Sequence, residues 1–502
     1  MKTLAFIDKY WWGVVALVAG GVYALIMLLS LHQAVWFDES YSILLAKSSF
    51  AELWALTAVD AHPPLYYVLL KVWGSLFGFS DFALRSFSAV SMAAAISLAV
   101  SLVRKVFSTK IALMTLPFLV LAPFLLRYGY EIRMYAPATL IAVGATYALV
   151  MAKRTDKKHW WIIYGVLVAL GMYTLYLTVA VWLAQALWLL IGSLKSKERP
   201  FWKWRWLYVY AGAVLLFAAY IPTFIHQLLY SALPGIGSAI TITKLGDVYS
   251  MLALFTPEWA LGGWWAIVLI AFFALLVVLI ARVRKGLRGE PKATYDLILL
   301  LALVPIAFFA LTSLPPRDPI FIIRYMAHVS LFIYLLAGLA LALGWVQKAK
   351  KQDARGHLLL VASATALGLI VLASGVTMLS KTGNFNFERL QKPMTQDVRN
   401  AAACDQRTTV VADDQYTYID SAFYFEDCDM RFYAADEQPF KGGYAPLHAS
   451  QSRITSSQQI DTPRLVHLRW NGGEPSFTVD SRYALKDSYI FDKQVVDVYE
   501  RV

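Results

Sequence analysis

The chain has 502 residues, of which 59% are hydrophobic, and its mean hydropathy is +0.55. An average soluble domain is closer to half apolar, so this composition excludes an ordinary soluble protein and predicts a polytopic membrane protein. The net charge is +12, but residues from 380 onward hold 14 Lys and Arg against 18 Asp and Glu. The basic excess therefore lies before residue 380, where it orients membrane spans, and no nucleic-acid partner is expected.

Apolar runs of about 20 residues, the length that crosses a bilayer as a helix, recur along the first three quarters of the chain. The first run has no small-residue cleavage site and is long enough to span, so no cleavable signal peptide is expected. Eleven spans are predicted, at residues 12–31, 82–103, 111–127, 136–151, 160–175, 177–194, 206–224, 263–281, 295–314, 326–346 and 357–379.

Five strongly basic loops fall on alternate sides of this span count and therefore share one side of the membrane. By the positive-inside rule that side is the cytoplasm, and the N-terminus, with Lys2 and Lys9, joins it. An odd number of spans leaves the C-terminal segment outside. We therefore expect a multi-pass protein of the cell (inner) membrane, with cytoplasmic loops at 104–110, 153–159, 195–205, 282–292 and 347–357.

The first outer loop contains an apolar stretch at 64–79 that resembles a twelfth span. This stretch is short and carries Lys71, and counting it as a span would put the basic loop 104–110 outside. We therefore interpret 40–58 and 64–79 as helices that lie at the outer membrane surface. The first outer loop is then long and structured.

Residues 380–502 have the composition of a soluble domain, which follows a transmembrane domain at 1–379. Strand-like runs at 407–412 and 464–470 alternate with helical patterns near 391–404 and 417–425, which predicts a small extracytoplasmic α/β domain. Both cysteines of the chain, Cys404 and Cys428, lie in this segment. An oxidising outer compartment favours a disulfide between them, and two free thiols are the alternative.

The first outer loop holds the acidic candidates Asp38 and Glu39, in "WFDES", and Asp60 with His62, in "DAHPPLYY". A carboxylate outside the membrane is suited to general acid–base work. The alternative roles are structural: Asp38 as the cap of a helix starting near Ser40, Asp60 as a cap before the prolines, and His62 as a turn residue. A divalent metal ion held by these carboxylates and the imidazole is a further, weaker interpretation.

Arginines in the outer turns oppose the orientation rule and need another reason to be there. Phosphate at the membrane surface supplies one, since Arg binds phosphate through two donors and stays charged. The alternative is headgroup anchoring or local pairing, for example of Arg127 with Glu131 at helical spacing. The candidates here are Arg85, Arg127, Tyr130, Glu131, Arg133, Tyr135, Arg317, Asp318, Arg324, Tyr325 and His328.

An outer carboxylate and outer arginines together fit group transfer from a lipid-linked phosphate to a hydroxyl. The carboxylate takes the proton of the acceptor hydroxyl, and the arginines stabilise the phosphate that leaves. Direct displacement by an Asp-activated hydroxyl inverts the anomeric centre of a sugar.

The motifs "FDES", "DAHPPLYY", "LRSFSAV", "YEIRMYA" and "IIRYM" occur in this order over residues 10–345. In them the chain resembles the GT-C glycosyltransferases, specifically the bacterial branch related to protein O-mannosyltransferases and the lipid A aminoarabinose transferase. The resemblance implies an outward active site, a polyprenyl-phosphate sugar donor and a glycan, lipid or protein acceptor. It implies Asp38 as catalytic base and Glu39 and Asp60 as supporting acids. Arg133 and Arg324 would lie near the donor phosphate, and the predicted substrate-binding residues are His62, Arg85, Tyr130, Glu131, Arg133, Tyr135, Arg324 and Tyr325.

One segment departs from the resemblance. Many relatives carry a His after the first Tyr of the stretch corresponding to "MYTLYLT" at 172–178, and this chain has none there. The role of that His is therefore absent or moved.

Two other classes of function remain open from the sequence. One is a lipid or glycan transporter, whose functional charges usually lie near the bilayer midplane, whereas the acids here cluster outside. The other is a polysaccharide ligase or polymerase with a lipid-diphosphate donor, which has less need for "FDES".

Two outer segments have no assigned chemistry. The segment 229–262 is predicted to be a mobile lid over the donor, with a surface helix as the alternative. The C-terminal domain is expected either to position an acceptor or to serve as a structural cap.

Overall fold

A computed structural model describes residues 2–31, 33–195, 200, 203–230, 264–314, 322–349, 358, 362, 394–435, 440, 442–447, 450–491 and 494–502. The predicted eleventh span (except residues 358 and 362), nearly all of the segment 229–262, the boundary at residue 380, Arg317 and Asp318 lie outside the described residues. The chain forms two compact units, each discontinuous along the sequence. The first includes described residues of 1–29, 85–221 and 234–381, and the second those of 30–84, 222–233 and 382–502.

Helices dominate the described residues up to 349. In chain order they are α1 (Lys2–Lys9), α2 (Trp11–Ser30), α3 (Phe37–Lys47), α4 (Phe50–Val59), α5 (Leu65–Phe77), α6 (Asp81–Val106), α7 (Thr109–Val120), α8 (Pro123–Tyr130), α9 (Tyr135–Thr155), α10 (Lys158–Thr174), α11 (Val179–Lys195), α12 (Arg205–Phe217), α13 (Ile221–Tyr230), α14 (Trp264–Gly286), α15 (Gly289–Thr312) and α16 (Ala327–Ala349). Short 3-10 turns cover Tyr176–Thr178, Ala218–Tyr220 and Ile323–Met326.

The first unit contains the long apolar helices that the sequence predicts. Among the described residues, seven helical segments are long and apolar enough to cross a membrane, or up to eight if a bent pair counts as one span. The chain is therefore a multi-pass membrane protein, as predicted, although the total of eleven spans stays a prediction.

One predicted span, 111–127, is wrong as a single helix. The chain forms α7 and α8 instead, with a bend of 63° between them. Pro123 is the first residue of α8. Proline has no N–H to donate and is favoured at the first position of a helix, so a new helix begins there in a new direction.

Small side chains let the helices of the first unit approach closely. α9 contacts α8, α10 and α16, and its buried face is rich in alanine. Small residues at helix contacts bring backbones together and increase van der Waals contact, which drives helix association in a membrane. The fully buried alanines of α9 are Ala136, Ala138, Ala142, Ala145, Ala148 and Ala152.

In the second unit, the first outer loop forms α3, α4 and α5. The prediction of one helix over 40–58 is wrong, because the chain breaks at Ser48 and Ser49. Ser49 accepts a hydrogen bond from the Glu52 N–H, and the Glu52 carboxylate accepts one from the Ser49 N–H. This capping box fixes the start of α4.

Lys71 is the charged residue within the apolar helix α5, and it has a structural role in the second unit. Its Nζ donates to the Ser48 carbonyl at 2.6 Å and to the Ala46 carbonyl at 3.4 Å. These are carbonyls at the C-terminal end of α3, which lack partners within the helix and attract positive charge.

The C-terminal segment of the second unit is an α/β domain, as predicted. Its described helices are α17 (Met394–Ala402) and α18 (Gln415–Ala422), and a 3-10 turn covers Gly442–Leu447. Its strands are β1 (Thr408–Ala412), β2 (Asp429–Tyr433), β3 (Arg453–Ile454), β4 (Arg464–Trp470), β5 (Tyr483–Ile490) and β6 (Gln494–Arg501).

The six strands form one mixed sheet in the order β3-β2-β1-β4-β6-β5. The strands from β3 to β4 are parallel, and β6 pairs antiparallel with β4 and β5. The central strand β1 reads "TTVVA" and is buried along its whole length, which is typical of a strand covered on both faces. Cys404 and Cys428 form a disulfide that joins the chain after α17 to the chain before β2.

Candidate active site

The acid segment, residues 33–47, ends with α3 and contains "FDES". α3 begins at Phe37, and the preceding Trp36 is extended and makes no side-chain cap. Asp38 is therefore the second residue of the helix, and its alternative role as the N-cap is wrong. Asp38 and Glu39 both lie in the first turn, where the helix dipole favours negative charge.

The two adjacent carboxylates have different surroundings. Asp38 is half-buried, whereas Glu39 is only 1% exposed. Successive side chains point about 100° apart around a helix, so one can face solvent while the next packs inside. Asp38 is accordingly the more accessible of the two carboxylates, and Glu39 packs inside.

Asp60 and His62 are paired in the structure. Asp60 follows α4 and is fully buried, and its Oδ2 lies 3.1 Å from Nδ1 of His62, whose side chain is 26% exposed. The 3-10 turn at Gly442–Leu447 passes close by, since a Cβ built on Gly443 lies 4.0 Å from Oδ1 of Asp60. A buried carboxylate bonded to one imidazole nitrogen fixes the orientation of the ring.

The predicted metal site is not supported by this geometry. In the part of the chain that the structure describes, no three His, Cys, Asp or Glu side chains are grouped so that they could hold a metal ion. Asp60 and His62 alone supply fewer donors than a typical divalent-metal site needs.

Two tyrosines of the C-terminal domain flank the start of α3, and the sequence motifs do not indicate them. The Tyr416 ring stacks on Phe37 with ring centres 4.6 Å apart, and the Tyr444 ring meets Phe37 edge-on at 5.9 Å. Burial chiefly raises the pKa of Tyr444 to about 12, and the charge of Asp38 adds to the shift. Tyr444 is therefore a protonated hydroxyl close enough to Asp38 to sense its charge.

The arginine corner, residues 85–88, 127–135 and 324–325, belongs to the first unit. Arg127, near the end of α8, pairs with Glu131 one helical turn later, at 3.1 Å between Nη1 and Oε2. Both side chains are almost fully buried, at 3% and 1% exposure. The local pairing that the spacing offered as an alternative is therefore present for these two residues.

A tight turn at Glu131 connects α8 to α9, and hydrogen bonds to the Glu131 carbonyl join the segments of the arginine corner. The Arg133 N–H donates to the Glu131 carbonyl at 2.7 Å, and Ser88 Oγ donates to the same carbonyl at 2.6 Å. Arg85 lies three residues before Ser88, on the same face of α6. Gly129 permits the approach of α2, because a Cβ at that position would lie 2.7 Å from the Ile26 side chain.

Tyrosines surround these arginines. The Arg127 guanidinium lies 5.4 Å from the centre of the Tyr128 ring and 5.2 Å from that of Tyr130. The Tyr128 and Tyr135 rings meet edge-on at 5.2 Å. Tyr128 also interacts electrostatically with Arg324, which places the start of the "RYM" turn near the corner. His328 is fully buried in the first turn of α16.

The corner has an excess of positive charge in a buried place. Arg85, Arg127 and Arg133 are 1%, 3% and 4% exposed. Among its residues, all of them described, Glu131 is the one acid beside four arginines. Guanidinium groups match the oxygens of phosphate, so these arginines are chemically suited to an anionic ligand.

Comparison with protein families gives a match over about a third of the chain. The model of the family described as dolichyl-phosphate-mannose-protein mannosyltransferase matches residues 61–226. This range includes His62, Arg85 and the α8–α9 turn, whereas Asp38, Glu39 and Asp60 precede it. No curated protein sequence matches the chain.

Comparison with solved structures shows the fold. ArnT from Cupriavidus metallidurans matches in the apo state with a TM-score of 0.63 and 12% identity over 98% of both chains. The same protein bound to undecaprenyl phosphate matches with a TM-score of 0.65 and 12% identity, over 97% of this chain and 98% of that chain. A third match is the archaeal oligosaccharyltransferase AglB from Archaeoglobus fulgidus, in complex with an inhibitory peptide and a dolichol-phosphate. Its TM-score is 0.50 and its identity 12%, over 92% of this chain and 70% of that chain.

The family match and these likenesses confirm the resemblance to the GT-C superfamily. The chain has the fold of its multi-pass membrane glycosyltransferases, with a C-terminal α/β domain.

Proposed function

We propose that the chain transfers a sugar from a polyprenyl-phosphate donor to a hydroxyl of a glycan, lipid or protein acceptor, with Asp38 as general base. The observation that carries the proposal is the half-buried Asp38 carboxylate in the first turn of α3. It is reachable, and it lies in the "FDES" motif through which the chain resembles GT-C glycosyltransferases.

A lipid-linked phosphate donor is supported from two directions. The arginine corner offers buried guanidinium groups that suit a phosphate. One solved structure of the same fold contains undecaprenyl phosphate and another contains a dolichol-phosphate. The matching family is described by a dolichyl-phosphate-linked mannose donor. The lipid monophosphates in these structures and in the family description favour a lipid monophosphate donor over a lipid diphosphate.

The proposed step is a single displacement. The acceptor oxygen forms a bond to C1 of the sugar while its proton passes to the Asp38 carboxylate. The bond between C1 and the phosphate oxygen breaks, and its electron pair leaves with the polyprenyl phosphate. Arg133 and Arg324 stabilise the charge that develops on the leaving phosphate. One displacement at C1 inverts the anomeric configuration.

The other predicted residues have supporting roles in this proposal. Glu39 and Asp60 are too buried to be the primary base; Glu39 supports α3 from inside, and Asp60 orients His62. Arg85, Tyr130, Glu131, Tyr135 and Tyr325 shape the donor site together with Arg133 and Arg324. The Arg127–Glu131 ion pair fixes the side chains of the α8–α9 turn.

The same proposal includes a location. The chain lies in the cell (inner) membrane with its N-terminus in the cytoplasm. Its acid segment and C-terminal domain lie outside, where polyprenyl-phosphate sugars and envelope acceptors meet. The five basic loops support this orientation.

Mass spectrometry of envelope glycans tests the proposed function. Cells that carry the wild-type chain should contain a sugar modification that cells without it lack, and cells with Asp38→Asn should match those without it. The matched control is Asp81→Asn, which removes a carboxylate from the first turn of another helix, α6. Identical glycans in all four strains would contradict the proposal.

A further inference from the structure

The C-terminal domain holds the backbone of the acid segment just before Asp38. The Val35 N–H donates to the Tyr424 hydroxyl at 2.8 Å, and that hydroxyl donates back to the Val35 carbonyl at 3.2 Å. Both bonds join residues 389 positions apart in the chain. One side chain therefore satisfies both backbone groups of a residue that no strand or helix supports.

A second residue of the same domain, Asp420, lies near the first turn of α3. Asp420 lies on α18, and its carboxyl is close enough to the Phe37 N–H for that group to lower its pKa. The first N–H groups of a helix have no partner within it, and Trp36 supplies no side-chain cap. An ionised carboxylate at this place suits the positive N-terminal end of the dipole of α3.

Further contacts extend this support along α3. Tyr416, also on α18, stacks on Phe37, the residue immediately before Asp38. At the other end of α3, Lys47 forms an ion pair with Glu426. α3 is therefore held by the C-terminal domain at both of its ends.

We propose that Asp420 and Tyr424 are positioning residues for Asp38, and that the C-terminal domain is thereby part of the transferase's catalytic apparatus. The inference rests on the proposed function, because it assumes that Asp38 takes the acceptor proton. It assigns the domain a role beyond that of a structural cap. A shift of about 1 Å in a catalytic group can lower a rate about 100-fold, so these contacts matter for chemistry as well as for folding.

Ionisation of Asp420 makes this support dependent on pH. Burial raises the pKa of Asp420 from 3.8 to about 6, and the Phe37 N–H opposes that rise. An ionised carboxylate interacts more favourably with the N-terminal end of a helix than a neutral one, so the interaction of Asp420 with α3 should weaken as the pH falls through 6. Charged or titratable groups on the elements packed against α18, and on α18 itself, are Asp38, Glu39, Tyr41, Lys47, Tyr416, Tyr418, Asp429, Arg431, Tyr433, Arg464, His467 and Arg469.

The effect on folding has the opposite sign. Because the folded-state pKa is raised, ionisation of Asp420 opposes folding. The contribution of this group to stability is present below about pH 4 and is lost as the pH rises through 6. Protonation of the proposed base Asp38 also lowers activity at low pH. The part of the fall that disappears in Asp420→Asn is therefore the part assigned to Asp420.

Three variants of the full-length protein test the proposal. Tyr424→Phe keeps the ring but removes both bonds to Val35, and Asp420→Asn keeps an acceptor oxygen but removes the charge. Tyr418→Phe is the matched control, since its hydroxyl donates to Ser452 inside the domain. We expect Tyr424→Phe to lower the transfer rate by about 10- to 100-fold with KM for the donor unchanged, and Tyr418→Phe to stay near wild type. Asp420→Asn should lose the fall in activity that the wild type shows between pH 7 and 5.

Hydrogen exchange separates this proposal from the proposed function. Peptides that cover residues 33–47 should exchange faster in Tyr424→Phe than in the wild type, and peptides of β4 and β6 should not. That outcome supports positioning of the acid segment even if Asp38→Asn retains transfer, which would overturn only the catalytic role. Unchanged exchange at 33–47, or wild-type rate and pH profile in both variants, would overturn the proposal.

Discussion

The arginine corner and the acid segment obtain their order in different ways. The corner depends on contacts that are close in sequence, such as the Arg127–Glu131 pair four residues apart. The acid segment depends on Tyr424, which is 389 residues from Val35. The proposed donor site, built by local contacts, and the proposed base Asp38, held by a distant part of the chain, can therefore be disturbed separately. Each of the following changes acts on one region and should spare the other.

The largest expected effect is on the stability of the arginine corner. Glu131→Gln leaves the buried Arg127 charge without its carboxylate, and removal of one partner of a buried ion pair costs about 3–5 kcal/mol. The midpoint of thermal unfolding of the purified protein measures this loss. The double variant Arg127→Met with Glu131→Gln should lose less than the single one. Equal or greater loss in the double variant would show that the pair is not the source of the effect.

The disulfide should have the next largest effect, confined to the second unit. Cys404→Ser with Cys428→Ser removes a cross-link between residues 24 apart, which lowers the stability of the C-terminal domain by roughly 3 kcal/mol. Hydrogen exchange should increase in β1, β2 and the acid segment but not in α8 and α9. Faster exchange in α8 and α9 as well would contradict the separation of the two regions.

Loss of one arginine should weaken donor binding without unfolding the protein. Arg324→Ala removes charge-assisted hydrogen bonds to phosphate, so affinity for undecaprenyl phosphate should fall about 10- to 100-fold. Undecaprenol, which lacks the phosphate, should bind equally to both proteins. Arg154→Ala, at the C-terminal end of α9, is the matched control. The role of Arg324 is excluded if both arginine variants bind alike.

The smallest expected effect concerns the C-terminal end of α3. Lys71→Met keeps the apolar stem but removes the bonds to Ser48 and Ala46, which should cost about 1–2 kcal/mol in the second unit. Lys486→Met removes an exposed lysine paired with Glu500, where a loss of about 0–1 kcal/mol is expected. Chemical unfolding of both variants gives the comparison, and equal losses would mean that Lys71 does not cap α3.

The arginine corner was predictable from sequence because its residues lie in short motifs with helical spacing. The strands at 407–412 and 464–470 were predictable too, from their apolar β-branched runs. The bend at Pro123 and the break at Ser49 were missed, although the proline and the Ser–Glu capping pattern were both readable signals. Tyr424 and Asp420 gave no signal, because a single tyrosine and a single aspartate in an α/β domain do not indicate a partner hundreds of residues away.

Kinetics of Asp38→Asn test the central claim most directly. With purified protein, a polyprenyl-phosphate sugar identified from the envelope glycans and saturating donor, we predict a fall in kcat of at least about 100-fold, as expected for loss of a general base. Binding of undecaprenyl phosphate and the thermal unfolding midpoint should stay at wild-type values. A folded Asp38→Asn protein that transfers sugar within a few-fold of the wild-type rate would contradict the assignment of Asp38 as the base.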